Sequence, residues 1–203
     1  MSAHHAKPKP YIIGLTGGIA SGKTTASKYF QEKGLTVIDS DQIVKKLWNE
    51  NEEMIQKAES LFGFAIRTKV DKKKLSQLIF NDKRLRLKLN DIIHPYVYNE
   101  IHKFIESHEE KHLFVIDMPL LFEVGYEKKC NVTCLVYVNR SIQIDRLMKR
   151  DSLSQNEAEK RIDAQLDIEE KKVKADVIFD NQLDLNYLYY QIDQFIRGLE
   201  DEK

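Results

Sequence analysis

Apolar residues run along this chain in two rhythms. Short β-prone runs recur at Tyr11 to Thr16, Leu35 to Asp39, Leu113 to Asp117, Cys134 to Val138 and Val177 to Asp180. Each has the length of a strand, and the near-continuous apolar character suits strands buried on both faces. Between them lie stretches at helical spacing: Thr24 to Lys33, which has no Pro or Gly and is followed by Gly34 as a C-cap; Ile142 to Arg150; and Leu183 to Ile196, with its stripe of Tyr187, Leu188, Ile192, Phe195 and Ile196. Strands and helices alternating in this way predict an α/β fold on a parallel five-stranded sheet.

One long stretch breaks the alternation. Residues 44–110 carry helical patterns and no convincing strand. Asp71 opens a helix bearing Leu75, Leu78 and Ile79, and Leu85, Leu89, Ile92 and Ile93 continue the stripe. His94-Pro95 should bend or break it before Tyr96 to His108 resumes. Further on, Ser154-Gln155-Asn156-Glu157 is a capping-box signature, predicting a helix from Gln155 through Arg161 and Gln165 that contains few large apolar residues.

Candidate chemistry enters at the end of the first strand. Gly17-Gly18-Ile19-Ala20-Ser21-Gly22-Lys23-Thr24 fits G-x-x-x-x-G-K-[ST] at every fixed position, and it lies between a strand and a helix as that pattern requires. Glycines let such a loop wrap tightly and turn successive N–H groups inward, an anion nest at a helix N-terminus. Lys23 can reach the β- and γ-phosphates of a nucleotide, and the Thr24 hydroxyl can complete a Mg²⁺ shell. The expected fold is therefore a P-loop NTPase, three-layer α/β/α. Its core comprises 11–43, 111–140 and 175–203, and 44–110 is an inserted helical substrate region. Residues 141–174, a polar helical hairpin beside an Arg-bearing helix, read as a lid over nucleotide or as a solvent-facing excursion. Residues 1–10, with His4, His5, Pro8 and Pro10, read as a flexible tail.

Two more strands end in acids. If the chain stays extended through Ser40, its period of two puts Asp39 and Asp41 on one side, outside the carboxyl end of the strand, where open α/β sheets hold ligands. The alternative makes Asp41 the N-cap of a helix beginning near Gln42, with Asp39 in the turn. Asp117 ends a central strand as a Walker B-like acid able to hold Mg²⁺ through water. Met118 to Glu123 is then an apolar loop, either a substrate wall or a packed connection. Arg146 and Arg150 are four apart and share a helix face. Arg67, Lys69, Lys72, Lys73 and Lys74 form a basic cluster that either faces solvent or meets an anionic substrate.

Composition excludes more than it selects. The 203 residues hold 32 basic and 32 acidic side chains, so no charge surplus argues for nucleic acid or a membrane surface. Two cysteines, Cys130 and Cys134, make no disulfide scaffold and fit a reducing cytoplasm; without a second Cys pair or a nearby His they read as partly buried thiols rather than a metal site. No run of 18 apolar residues is present.

In order along the chain stand Gly14-Leu15-Thr16-Gly17-Gly18-Ile19 with the Walker residues, Val37-Ile38-Asp39-Ser40-Asp41, Ile79-Phe80-Asn81-Asp82, Leu89-Asn90 before Ile93-His94-Pro95, Asp117 to Glu123, Arg146 to Asp151, Arg161 with Gln165, and Ala175-Asp176 before Asp180-Asn181. This series resembles the dephospho-CoA kinase family from Gly14 to about Asn181. The resemblance implies transfer of the ATP γ-phosphoryl group, with Mg²⁺, to the ribose 3′-hydroxyl of dephospho-CoA, and no obligate protein partner. It implies catalytic roles for Lys23, Asp41, Arg146 and Arg150. ATP contacts fall on Gly18, Ile19, Ala20, Ser21, Gly22, Lys23, Thr24, Thr25, Arg146 and Asn181, and substrate contacts on Thr16, Asp39, Asp41, Lys45, His94, Leu120, Glu123 and Arg161. Thr24, Asp39 and Asp117 are the implied metal residues. Three positions depart from the family pattern: Ala20 replaces a third loop glycine, so φ below zero is expected there; Lys45 stands for Arg; and Gln182, not Gly, follows Asn181. The rival readings are another P-loop small-molecule kinase and a guanine-nucleotide switch, the latter without an N-K-x-D motif.

Overall fold

The computed structural model describes residues 9–201, the side chains at positions 80, 81, 83, 200 and 201 excepted. Residues 1–8 of the expected tail lie outside the described residues. The elements run β1 (Tyr11–Gly17), α1 (Lys23–Glu32), β2 (Thr36–Asp39), α2 (Ser40–Glu50), α3 (Glu52–Phe62), α4 (Lys69–Asn81), α5 (Lys83–Glu106), β3 (Leu113–Asp117), β4 (Val132–Tyr137), α6 (Arg140–Asp151), α7 (Gln155–Ile162), α8 (Ile168–Lys174), β5 (Val177–Asp180) and α9 (Leu185–Asp201). The chain divides into two compact units, 1–38 with 108–203, and 39–107.

In the first unit the five strands form a parallel sheet in the order β2-β3-β1-β4-β5, with Leu15 in register with Asp117 on one side and Cys134 on the other. Successive strands are added to one side of β1 and then to the other, so the strand order reverses beside β1, the place where doubly wound sheets open a crevice at their carboxyl ends. Alternation along the strands sorts the core into two faces. Ile13, Leu15, Val115, Cys134, Val136 and Phe179 pack with Ala26 and Phe30 of α1 and Leu188 and Ile192 of α9. Leu135 and Tyr137 point the other way, onto Ile168 of α8. Helices on both faces make the three layers expected from the sequence.

The second unit is helical, with α5 packed on α2, α3 and α4 over buried Leu47, Met54, Ala58, Leu75, Leu89, Ile93, Val97 and Ile101. Of the bend or break expected at His94-Pro95, the break does not occur: α5 runs through both residues. Proline removes the N–H that would bond the Asp91 carbonyl, but Pro95 and Asp91 are both exposed and water can take that carbonyl, while Ile93, Val97 and Ile101 hold the opposite face in the core. Arg67 of the basic cluster grips Glu52 through both terminal nitrogens, at 2.7 Å each, and its Nε donates to Glu59. Lys72 bonds Asn49, and Lys74 lies over the Phe64 ring.

Two more expectations need correction. The capping box of Ser154 and Glu157 forms, but α7 stops at Ile162 rather than continuing through Gln165. The Gln165 N–H instead closes a tight turn onto the Ile162 carbonyl. The extended backbone expected through Ser40 is absent as well, because α2 starts there with Asp39 as its N-cap.

Candidate active site

The loop after β1 ends in an uncapped helix. Gly22 is the N-cap of α1, in the left-handed region at φ 93°, and no side chain accepts the first-turn N–H groups. Those donors, with the positive end of the helix dipole, present an anion site. Packing explains the glycines. A Cβ at position 22 would sit 2.2 Å from the Asn181 side-chain nitrogen, one at 18 would meet the Gln143 nitrogen at 2.2 Å, and one at 17 would meet Ser21 Oγ at 2.4 Å. Ala20, expected at negative φ, adopts φ 61°. Left-handed backbone costs a residue with a Cβ about 1–2 kcal/mol, so the loop holds Ala20 in a conformation the residue does not favour.

The parts of the first unit that converge on this loop come from four places. Lys23 Nζ forms an ion pair with Asp117 Oδ1 at the tip of β3, with both side chains largely buried. Asn181, after β5, donates from Nδ2 to the Ser21 carbonyl at 2.8 Å, and its own carbonyl accepts from Arg146 Nη2 at 2.9 Å. Gln143 of α6 donates to the Ile19 carbonyl at 2.8 Å, while the Ile19 N–H donates to Gln165 Oε1 at 2.9 Å. Leu147, Ala158 and Ile162 of the 141–174 segment form a small core onto which Ile19 and Ala20 pack.

Behind the loop, the Thr16 hydroxyl donates to the Pro119 carbonyl at 3.1 Å. The same carbonyl accepts from Lys171 Nζ at 2.8 Å, and this fully buried ammonium pairs with Glu123 Oε1 at 2.9 Å. Burial pulls the Lys171 pKa down, against the attraction of Glu123. Glu123 Oε1 also accepts the Leu166 N–H, while Oε2 is buried with no partner among the described residues. Leu120, half-buried, sits in this same loop.

Arg150 and Arg161 both reach Asp151, at 2.8 and 2.7 Å, and the Arg150 hydrogen bond holds that carboxyl below its usual range. Of the residues matched to the family motifs, Thr16, the 18–25 loop, Asp117, Leu120, Glu123, Arg146, Arg150, Arg161 and Asn181 belong to the first unit. Asp39, Asp41, Lys45 and His94 belong to the second. There, Asp39 Oδ1 accepts the Asp41 and Gln42 N–H groups, and Asp41 and Lys45 are exposed. His94 stacks on Tyr98 with centroids 5.9 Å apart; burial lowers its pKa and favours the neutral ring, against the attraction of Asp91, which favours the charged one.

Sequence reasoning overlooked Gln143 and Lys171, and it took Gln165 only as part of a motif. Polar residues on polar helices read as surface. The one available signal was that Lys171 lies three residues after Ile168, on the face α8 turns to the sheet.

Among the described residues no three His, Cys, Asp or Glu cluster as a metal cage. Mg²⁺ needs none, since it keeps water and phosphate ligands and takes one or two protein oxygens. A hydroxyl at the start of α1 and a carboxylate at the tip of β3 suit that demand. The thiols do not compete as ligands: burial pushes Cys130 up to about 12 and Cys134 higher still.

A family model described as dephospho-CoA kinase matches residues 11–186. The chain belongs to the dephospho-CoA kinase family. Members of this family phosphorylate dephospho-CoA with ATP in the final step of coenzyme A biosynthesis. The dephospho-CoA kinase of Fusobacterium nucleatum is 41% identical over 187 residues, covering 91% of this chain and 96% of its own. The solved structure of TT1252 from Thermus thermophilus matches with a TM-score of 0.80 at 30% identity, over 94% of this chain and 98% of that one. The Campylobacter jejuni dephospho-CoA kinase structure matches with 0.67 at 30% identity and the same coverage. The dephospho-CoA kinase family is ATP-dependent, which favours the kinase reading over a guanine-nucleotide switch. No helix among the described residues is long and apolar enough to cross a membrane.

Proposed function

We propose that this chain moves the ATP γ-phosphoryl group to the ribose 3′-hydroxyl of dephospho-CoA, with the 17–24 loop as the phosphate cradle. The observation that carries the reading is the uncapped start of α1, with Gly22 at φ 93° and Lys23 beside it. Phosphoryl transfer demands alignment and charge neutralisation more than covalent chemistry. Main-chain N–H groups of residues 18–25 hold the phosphates, and Lys23 leaves Asp117 to neutralise their charge. Arg146 and Arg150 supply further positive charge from α6, and Asn181 supports the loop on the adenine side. Asp41 accepts the proton of the attacking hydroxyl. Thr16, Asp39, Lys45, His94, Leu120, Glu123 and Arg161 shape or hold the acceptor, and the 141–174 segment serves as the lid.

Thr24 and Asp117 would hold Mg²⁺, which when bound would offset phosphate charge. Two free cysteines, Cys134 buried and Cys130 half-buried, fit a cytoplasmic location. The decisive experiment incubates the protein with Mg-ATP and a panel of alcohol acceptors, and identifies products by mass. Phosphorylated dephospho-CoA, with slower turnover of nucleoside monophosphates, is the expected result. Turnover of another acceptor in its place overturns the reading.

A further inference from the structure

The Ile19 peptide is held from both sides. Its carbonyl accepts from Gln143 and its N–H donates to Gln165, so two side-chain amides from the 141–174 segment take up both polar groups of one loop residue. The next residue is Ala20, held at φ 61°. The preceding one is Gly18, where a Cβ would overlap the Gln143 amide at 2.2 Å, so the loop sequence itself leaves room for this grip. Gln165 is in turn braced. The Leu166 N–H beside it is fixed by Glu123 Oε1, and Glu123 is fixed by the buried Lys171, which is tied to the Pro119 carbonyl. Polar contacts joined by two covalent steps, Leu166 to Gln165 and Ile19 to Ala20, therefore run from a buried ammonium to the loop residue in unfavourable backbone.

We propose that Gln143 and Gln165, braced by Glu123 and Lys171, are positioning residues that hold Ala20 left-handed and so keep the phosphate loop in its ATP-binding shape. Neither amide needs to touch the nucleotide. Alanine left to itself favours φ below zero, which would turn the Ala20–Ser21 peptide away from its observed direction. Glycine populates both signs of φ about equally. Removing the grip should therefore matter for a loop with Ala20 and matter much less for one with glycine there.

The inference rests on the loop being the ATP site, and the test separates the two ideas. Mg-ATP binding is measured by calorimetry for the wild type, Gln165→Ala, Ala20→Gly and the double variant, with melting temperatures alongside. Gln165→Ala is expected to weaken ATP binding about tenfold in the Ala20 background and less than about threefold in the Ala20→Gly background, the difference being the left-handed cost converted to affinity. In steady state the KM for ATP should rise while the KM for the acceptor holds. Equal losses in both backgrounds, or no loss in either, overturn the proposal. Should Gln165→Ala be too unstable to purify, Gln143→Ala with and without Ala20→Gly reads the same coupling from the other side of the peptide. A wild type that binds no ATP would instead overturn the site assignment.

Discussion

Gly22→Ala offers the most direct measure of how tightly the loop is built. Two costs follow from the structure. The new side chain would have to live at φ 93°, worth about 1–2 kcal/mol for a residue with a Cβ. Its Cβ would also fall 2.2 Å from the Asn181 nitrogen, displacing the amide that satisfies the buried Ser21 carbonyl. A buried carbonyl left without its donor costs about 1–3 kcal/mol. Together they give about 2–5 kcal/mol, and for a domain of this size that is roughly 4–20 °C in melting temperature. The assay is thermal unfolding of four proteins: wild type, Gly22→Ala, Asn181→Ala and the double variant. With Asn181 already truncated, Gly22→Ala should cost only its backbone share, so the cycle should show a coupling of about 1–3 kcal/mol, the cost of the orphaned carbonyl. ATP affinity should fall in parallel. A Gly22→Ala protein that melts within about 2 °C of wild type and binds ATP as well would refute the argument.

Three other expectations can be checked separately. Lys23→Ala should lower kcat by about a hundredfold, roughly 3 kcal/mol of transition-state stabilisation; steady-state kinetics within threefold of wild type would remove the lysine from the chemistry. Asp41→Asn should lose turnover while calorimetric ATP affinity survives, and unchanged turnover would deny Asp41 its role as base. The Arg67 and Gln56 hydrogen bonds hold the Glu52 carboxyl down to about 2 from 4.5. Because its folded value lies below its unfolded one, that pair contributes stability above pH 4.5 and loses it as pH falls toward 2. The gap in melting temperature between wild type and Arg67→Ala should therefore narrow over that range. A gap that widens would contradict the sign.

The strands were legible from their apolar runs: Leu113 to Asp117, buried on both faces, and Val177 to Asp180, an edge strand with Ile178 exposed, fold with the bounds read from the sequence. Helix starts were legible where a side chain caps them, as Ser154 does. Stops were harder. Nothing in Asp163-Ala164-Gln165 announces the end of α7, because the turn is imposed by the bond from Gln165 to Ile19, 146 residues away in the chain. Pro95 misled for a related reason: whether a proline breaks a helix depends on which face it lies on and what packs opposite. Asp39 was misplaced by one turn of logic, since either acid of Asp39-Ser40-Asp41 can cap a helix and only the backbone decides. The phosphate loop was readable from its spacing, but the left-handed Ala20 and the amides that grip Ile19 were not. Glutamine on a polar helix carries no mark of having its partner on a different layer of the fold.

With the nucleotide in the 17–24 loop as proposed, the Lys23–Asp117 pair makes its capture an exchange rather than an addition. A lysine already matched to an acid can greet an incoming triphosphate only by abandoning that acid, and Asp117, 4% exposed, cannot then turn to bulk water for relief. Some other positive charge has to arrive in the same event, whether a proton or a metal escorted by the nucleotide. On that proposal free ATP should be a poorer visitor than its magnesium complex, so the enzyme would screen the form of its phosphate donor before any acceptor is present.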